Sequence, residues 1–232
     1  MPWKNSLTIK GYVFYLEAEL KKIVIVMITL FLASCADGND NKDVITRTKD
    51  NVSYVNAYFE LTVEKPIEWY SQDPESTMKM SKVGSTVMAG DNQNMKALID
   101  ASLKSSVPLF AFFEKMPGTP VKTNPNIVSV AENISIMPGV KSGCDYLFHA
   151  RQLIENSALK LNLTEGCSTV EINESKLGFF DAHVTLNGVE IYQRYHACIK
   201  GEHAISIIQT YFDDSSKEKV DSILKSIHLK CE

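Results

Sequence analysis

Five side chains on two adjoining stretches, Asp181, His183, Tyr192, Arg194 and His196, are of the types that carry chemistry. They flank Asn187-Gly188, a dipeptide that specifies a two-residue type I′ hairpin turn because both of its residues tolerate positive φ. With that turn Leu186 pairs with Val189, His183 with Tyr192 and Asp181 with Arg194. Strand alternation then puts Asp181, His183, Tyr192, Arg194, His196 and Cys198 on one face, and Phe180, Ala182, Val184, Leu186, Ile191 and Tyr195 on the other. The polar face has the groups for a ligand site. A guanidinium can grip a carboxylate or phosphate through two parallel hydrogen bonds, and paired imidazoles can hold a metal. The two histidines are offset diagonally and no third ligand is in register with them, so neither a metal nor a cofactor is expected. The competing expectation is an Asp181–Arg194 cross-strand pair beneath a covering helix, with no catalytic residue on this face.

The remaining chemical patterns are weaker. Ser85 and Ser142 lie near glycines but in no G-x-S-x-G elbow, and Gly139-Val140-Lys141-Ser142-Gly143 lacks the glycine-lysine order of a phosphate loop. No H-E-x-x-H occurs, and Asp213-Asp214 stands where a helix cap belongs. Trp69-Tyr70 reads as an aromatic seal at the end of the sheet, and Asn124-Pro125-Asn126 as a turn opening a strand. A net charge of −4, with 24 Lys+Arg against 28 Asp+Glu and no basic run, offers no counterion-release footprint, so no nucleic-acid partner is expected.

The elements that must position these groups follow from periodicity and breakers. Tyr54–Val63 reads as a strand ended by Pro66. Asp73-Pro74 opens a helix with Met80, Val83 and Val87 on one face, closed by Gly90. A second helix carries Met95, Leu98, Ile99 and Leu103, and Pro108 stops it. Leu109–Phe113 and Ile127–Ile134 read as neighbouring strands. Cys144–Ser157 reads as a helix with Leu147, Arg151 and Ile154 stacked, and Ser168–Ile172 as a short strand. Then come the Gly178–Leu186 and Val189–Lys200 strands, a third strand His203–Phe212, and a last helix capped by Ser215 or Ser216 with Val220, Ile223, Leu224 and Ile227 buried. This order has no internal repeat and one core, and it predicts an α+β domain with an antiparallel β-sheet flanked by helices.

The N-terminal segment reads as an address. Lys21-Lys22 precedes an apolar run from Ile23 to Ser34, shorter than the ~20 residues that a membrane span needs, and Cys35 follows. Leu32-Ala33-Ser34-Cys35 resembles the lipobox of bacterial lipoproteins, which implies cleavage before Cys35 and a diacylglyceryl thioether on it, so the expected partner at this end is the membrane. Residues 1–34 are therefore expected to be a signal peptide. Residues 1–19 are long for the region before a signal core, and initiation at Leu20 would give an ordinary Lys-Lys start. Residues 35–52, polar and without aromatics, read as lipidated cysteine and flexible tether, and 53–232 as a single globular domain. Ala36, rather than aspartate, after the cysteine implies sorting to the outer membrane, facing the periplasm.

Removing residues 1–35 takes four lysines (Lys4, Lys10, Lys21, Lys22) and two glutamates (Glu17, Glu19) from 24 bases and 28 acids, leaving 20 against 26, net −6. Cys144, Cys167, Cys198 and Cys231 remain, an even number in an oxidising compartment, with three possible pairings; Cys144–Cys167 with Cys198–Cys231 is favoured.

Asn124-Pro125-Asn126-Ile127-Val128-Ser129-Val130-Ala131-Glu132, then Asp145-Tyr146-Leu147 opening a helix, the long meander, and Ile223-Leu224-Lys225-Ser226-Ile227 in a closing helix resemble the PsbP-like superfamily, over about residues 54–229. The superfamily includes the extrinsic P subunit of photosystem II, the Ran-binding Mog proteins and bacterial lipoproteins such as DcrB. The resemblance implies an α/β/α sandwich and little about activity. The expected function is a lipid-anchored envelope protein acting as a non-catalytic binding or assembly module, with an envelope protein or a small ligand as partner. The alternative is an uncharacterised envelope enzyme using the Asp181, His183, Arg194 and His196 face.

Overall fold

The computed structural model describes residues 53–231. The signal segment, Cys35 and the tether to residue 52 lie outside the described residues. In chain order the elements are β1 (Ser53–Asn56), β2 (Leu61–Glu64), β3 (Tyr70–Ser71), α1 (Pro74–Ala89), α2 (Gln93–Lys104), β4 (Ser106–Phe113), β5 (Asn126–Asn133), α3 (Gly143–Glu155), β6 (Asn162–Leu163), β7 (Ser168–Ile172), β8 (Ser175–Leu186), β9 (Val189–Lys200), β10 (His203–Tyr211) and α4 (Asp214–Lys225). The main sheet has the order β3-β4-β5-β10-β9-β8-β6, with β7 also on β8, and its pairs are antiparallel. This is the α+β class expected, with helices on both sides of an antiparallel sheet.

The β8–β9 hairpin sets the register of the whole. Asn187 and Gly188 take φ of 52° and 74°, as the type I′ turn requires, and Leu186↔Val189, His183↔Tyr192 and Asp181↔Arg194 pair as the two-residue turn dictates. β10 continues the meander through the Gly201 turn, and β5 and β4 follow it. Because alternation persists across strands, the sheet has two unlike faces. One packs Ala197, Ile199, Ala204, Phe180 and Tyr195 against α3 and the ends of α1 and α2. The other packs Ile205, Ile207, Ile127, Leu177 and Cys198 against α4, Trp69 and the β1–β2 hairpin.

Several local expectations change. Tyr54–Val63 is a hairpin rather than one strand: the chain turns at Ala57–Glu60, where Asn56 Oδ1 accepts from the Phe59 amide at 3.0 Å and Glu60 takes a φ of 49°. Tyr54 and Val63 pair across it. In α1 the buried face is Thr77, Ser81, Gly84, Ser85 and Met88, while Val83 is 46% exposed. The hydroxyls of Thr77, Ser81 and Ser85 bond to carbonyls one turn back, which satisfies them and leaves a slim face for close packing. In α2 Met95 and Ile99 are buried and Leu98 is exposed. Pro108 does not stop at the helix end but sits inside β4, at a register shift between Pro108 and Phe110 where its missing N–H is tolerated. Asp213, not Ser215 or Ser216, caps α4, and Ser216 at N3 completes the capping box.

Both disulfides take the favoured pairing. Cys144–Cys167 ties α3 to the loop before β7, and Cys198–Cys231 ties the last residues to β9. The second closes a loop spanning 33 residues of sequence separation. Removing it with Cys198→Ala/Cys231→Ala is expected to cost about 3 kcal/mol, mainly by freeing the unfolded chain. Thermal unfolding should then show a midpoint lower by about 6–12 °C.

Candidate functional site

The polar face of the hairpin is built by rows that run across three strands, because each residue sits opposite its partner in register. Asp181, Arg194 and Gln209 form one row, His183, Tyr192 and Tyr211 another, and Phe179, His196 and Ile207 a third. Trp69 is buried in the core beside this face, as its sealing role requires, and Asn124 bonds both the N–H and the C=O of Lys115, so it closes the turn before β5.

Arg194 donates to Asp181 through Nε at 2.6 Å and Nη2 at 2.8 Å, a bidentate pair. The guanidinium carbon lies 4.6 Å over the Phe179 ring. Hydrogen bonding to Asp181 holds Arg194 above its usual pKa, against the effect of burial. This cation is thus held by its cross-strand neighbour, and an incoming anion would have to displace that carboxylate.

His196 is 1% exposed, and its Nε2 lies 3.0 Å from Gln209 Oε1. Gln209 donates to Asp221 Oδ1 at 2.9 Å, and Lys217 donates to Asp221 Oδ2 at 2.5 Å. Burial penalises the imidazolium and pulls the His196 pKa down to about 4, so the ring is neutral at pH 7. For Asp221 burial works against ionisation, but the bonds from Lys217 and Gln209 outweigh it and keep the carboxyl below its ordinary value. Here α4 covers the inner end of the polar face.

The outer end is more open. The His183 and Tyr192 rings stack at 4.6 Å with 20° between planes, and Tyr192 and Tyr211 at 5.6 Å with 11°. His183 Nε2 meets the Glu190 carboxylate, whose other oxygen accepts from Thr185 Oγ1 at 2.8 Å. Those two bonds hold the Glu190 carboxyl below its usual pKa. The His183 side chain is 34% exposed, and Tyr192 and Tyr211 are half-buried. The structure therefore brings all five expected residues to one face but divides them: His196 under α4, Asp181 and Arg194 spent on one another, and His183 and Tyr192 at an aromatic rim. Among the described residues no three His, Cys, Asp or Glu side chains come together to hold a metal ion.

Gln209, Tyr211, Glu190, Lys217 and Asp221 belong to this network and were not singled out from sequence. Gln209 and Tyr211 were accessible, since the Lys200-Gly201 turn fixes β10 against β9. Lys217 and Asp221 were not, because nothing local says which strands α4 crosses. A buried Glu132 was legible as a carboxylate inside the apolar run Ile127–Ile134; it is 1% exposed and accepts from the Tyr146 hydroxyl at 2.7 Å. The other serines read as structural are so placed: Ser142 caps α3, and Ser85 is buried and bonded to Asp100.

No known protein family matches the chain, and no curated protein does. Similar solved structures include cyanobacterial PsbP from Synechocystis sp. PCC 6803, at 8% identity and TM-score 0.43, covering 84% of this chain and 98% of that one. LpqN, involved in cell envelope biogenesis of Mycobacterium tuberculosis, aligns at 10% identity and TM-score 0.41, over 74% of this chain and 83% of that one. A crystal structure from Bacteroides thetaiotaomicron aligns at 13% identity and TM-score 0.38, over 74% of this chain; the chain spans 46% of that protein's length. The fold assigned above rests on the sheet order and register of the chain itself.

Proposed function

We propose that this is a lipid-anchored cell-envelope protein, held through Cys35 at the outer membrane on its periplasmic side, whose folded domain is a non-catalytic binding or assembly module. One observation carries the reading. The ionisable groups of the polar face are engaged by neighbours, Arg194 by Asp181 and His183 by Glu190 within the sheet, and Lys217 by Asp221 on the covering helix α4. Such a face presents a fixed, aromatic-edged surface instead of a free acid, base or nucleophile. The stacked His183–Tyr192–Tyr211 ladder is its accessible part, and half-buried aromatics with polar tips are the side chains that anchor protein partners.

The test is crosslinking in the native envelope followed by affinity capture, comparing the wild type with His183→Ala/Tyr192→Ala. A specific envelope partner is expected with the wild type, its recovery falling about tenfold or more in the variant, as for loss of an interface anchor. Turnover of an envelope substrate that Arg194→Ala or His183→Ala abolishes would overturn the reading in favour of an enzyme. For the anchor, Cys35→Ser is expected to shift the mature protein out of the membrane fraction.

A further inference from the structure

On the other side of the sheet, α1 and α2 pack together over the start of β4 and leave a cleft of about 500 Å³. Met78 and Leu103 give it apolar walls, Lys82, Lys96 and Lys104 its cations, and Asp100 its one acid. The lysines are not equivalent. Ser85, fully buried on α1, shares its hydroxyl proton between the Lys82 carbonyl at 2.7 Å and Asp100 Oδ1 at 3.1 Å, and Asp100 in turn accepts from Lys96 Nζ at 2.7 Å, so a link between the two helices holds Lys96 in place. Neither Lys82 nor Lys104 makes an ion pair with a described residue. Ser106 lines the cleft at its floor, is 8% exposed, and its hydroxyl has no hydrogen-bond partner. A buried hydroxyl left without a partner costs about 1–3 kcal/mol, so it is a group awaiting an acceptor.

Three ammonium groups and one carboxylate give the cleft a net charge of about +2, in a chain whose body after Cys35 is net acidic. That local surplus matches the charge of about −1.5 to −2 that a phosphate monoester carries at pH 7, and the lysine and serine donors match its three terminal oxygens. A carboxylate would leave one cation uncompensated. The volume falls within the range of small-ligand sites, and the apolar walls suit a carbon body beside the charged group. We propose that this cleft binds an organic phosphate, with Lys82, Lys96, Lys104 and the Ser106 hydroxyl on the phosphate and Met78 and Leu103 against its body. The phosphate comes either from a free metabolite or from a lipid whose headgroup is itself a phosphate monoester.

The site is separate from the His183–Tyr192–Tyr211 ladder, so the two readings stand or fall independently. The test uses the full chain in neutral detergent, titrated with glycerol 3-phosphate and with glycerol as the uncharged control, and read by mass-spectrometric footprinting of lysine reactivity. A second arm reconstitutes the chain in phosphatidylcholine nanodiscs with and without phosphatidic acid, whose headgroup is a phosphate monoester. Saturable protection of Lys82 and Lys104 by glycerol 3-phosphate, weakened about tenfold or more by Ser106→Ala or by Lys82→Gln with Lys104 as reporter, supports the site and a free ligand. The same protection appearing only with phosphatidic acid supports the site and a lipid source. Protection in neither arm, or protection that the substitutions leave unchanged, overturns the proposal. Both lysines are solvent-exposed, so their replacement leaves the fold intact, and Ser106→Ala removes an unpartnered group.

Discussion

Gly143→Ala is expected to destabilise the protein by about 3 kcal/mol or more, lowering the unfolding midpoint by about 10 °C. A Cβ at Gly143 would lie 1.9 Å from the Ala197 carbonyl oxygen, 2.7 Å from its carbon and 3.0 Å from the Gly178 amide nitrogen. These are backbone atoms in the middle of the sheet, with no flexible side chain to give way. Either α3 retreats, and Leu147, Ala150 and Ile154 lose their packing on Phe180, Tyr195 and Ala197, or β8 and β9 distort. Gly178 makes the reciprocal demand, since a Cβ there would lie 2.8 Å from the Cys144 amide nitrogen and 2.9 Å from its sulfur. Two glycines thus let the first turn of the helix lie directly on the strands, where Cys144 reaches Cys167. Gly139→Ala is the control. No atom of another part of the chain lies within 4 Å of its added Cβ, and its stability is expected to stay within about 0.5 kcal/mol of the wild type. Equal midpoints for the two variants would show that α3 does not approach the sheet this closely.

The second large effect is in the pH dependence of stability. Burial pushes the Glu132 carboxyl up to about 8, with the hydrogen bonds from Tyr146 and Ser105 working the other way. The unfolded carboxyl titrates near its model value of 4.5, so between about pH 4.5 and 8 the folded protein holds a proton that the unfolded chain has lost. The stability contributed by Glu132 is then fully present below about 4.5 and falls as pH rises to about 8, by about 4–5 kcal/mol in total. His196 acts in the opposite sense. Its folded pKa of about 4 lies below the unfolded 6.5, so its contribution is present above 6.5 and lost as pH falls towards 4. The two slopes offset one another between about 4.5 and 6.5, and the wild type is expected to lose stability chiefly between 6.5 and 8. Glu132→Gln keeps an acceptor for Tyr146 and removes the titration. Denaturant unfolding at pH 5, 6.5 and 8 should therefore show the difference between wild type and variant changing by several kcal/mol in favour of the variant as pH rises. A difference that does not vary with pH would mean that Glu132 is already ionised in the folded protein.

The residues that decide these effects were unequally visible in the sequence. The hairpin could be read residue by residue, because Asn187-Gly188 fixes the turn and a two-residue turn fixes every pair beyond it, down to Asp181 and Arg194. Alternation then sorted the two faces. The same logic fails for Tyr54–Val63, where an alternating run hides a four-residue turn that the Asn56 side chain organises. It also fails for α1, where the apolar residues Met80, Val83 and Val87 suggested a buried stripe and the structure buries hydroxyls satisfied by the helix itself. Hydrophobic periodicity reports which residues prefer to leave water, and a polar residue bonded to its own helix has no reason to stay in it.

What the sequence by itself determined is local: the antiparallel meander, the α+β element order and the side-chain set of the polar face. Each depends on turn chemistry or on periods of two and 3.6 residues, whose reach is a few residues along the chain. What only the tertiary structure decided is how those groups are used. His196 is neutral because α4 lies near it, Glu132 is protonated because α3 and three strands close over it, and Lys96 is held in the cleft because Ser85 and Asp100 come from different helices. Desolvation and pairing between distant elements set these states, and both depend on distances that exist only after the chain has folded.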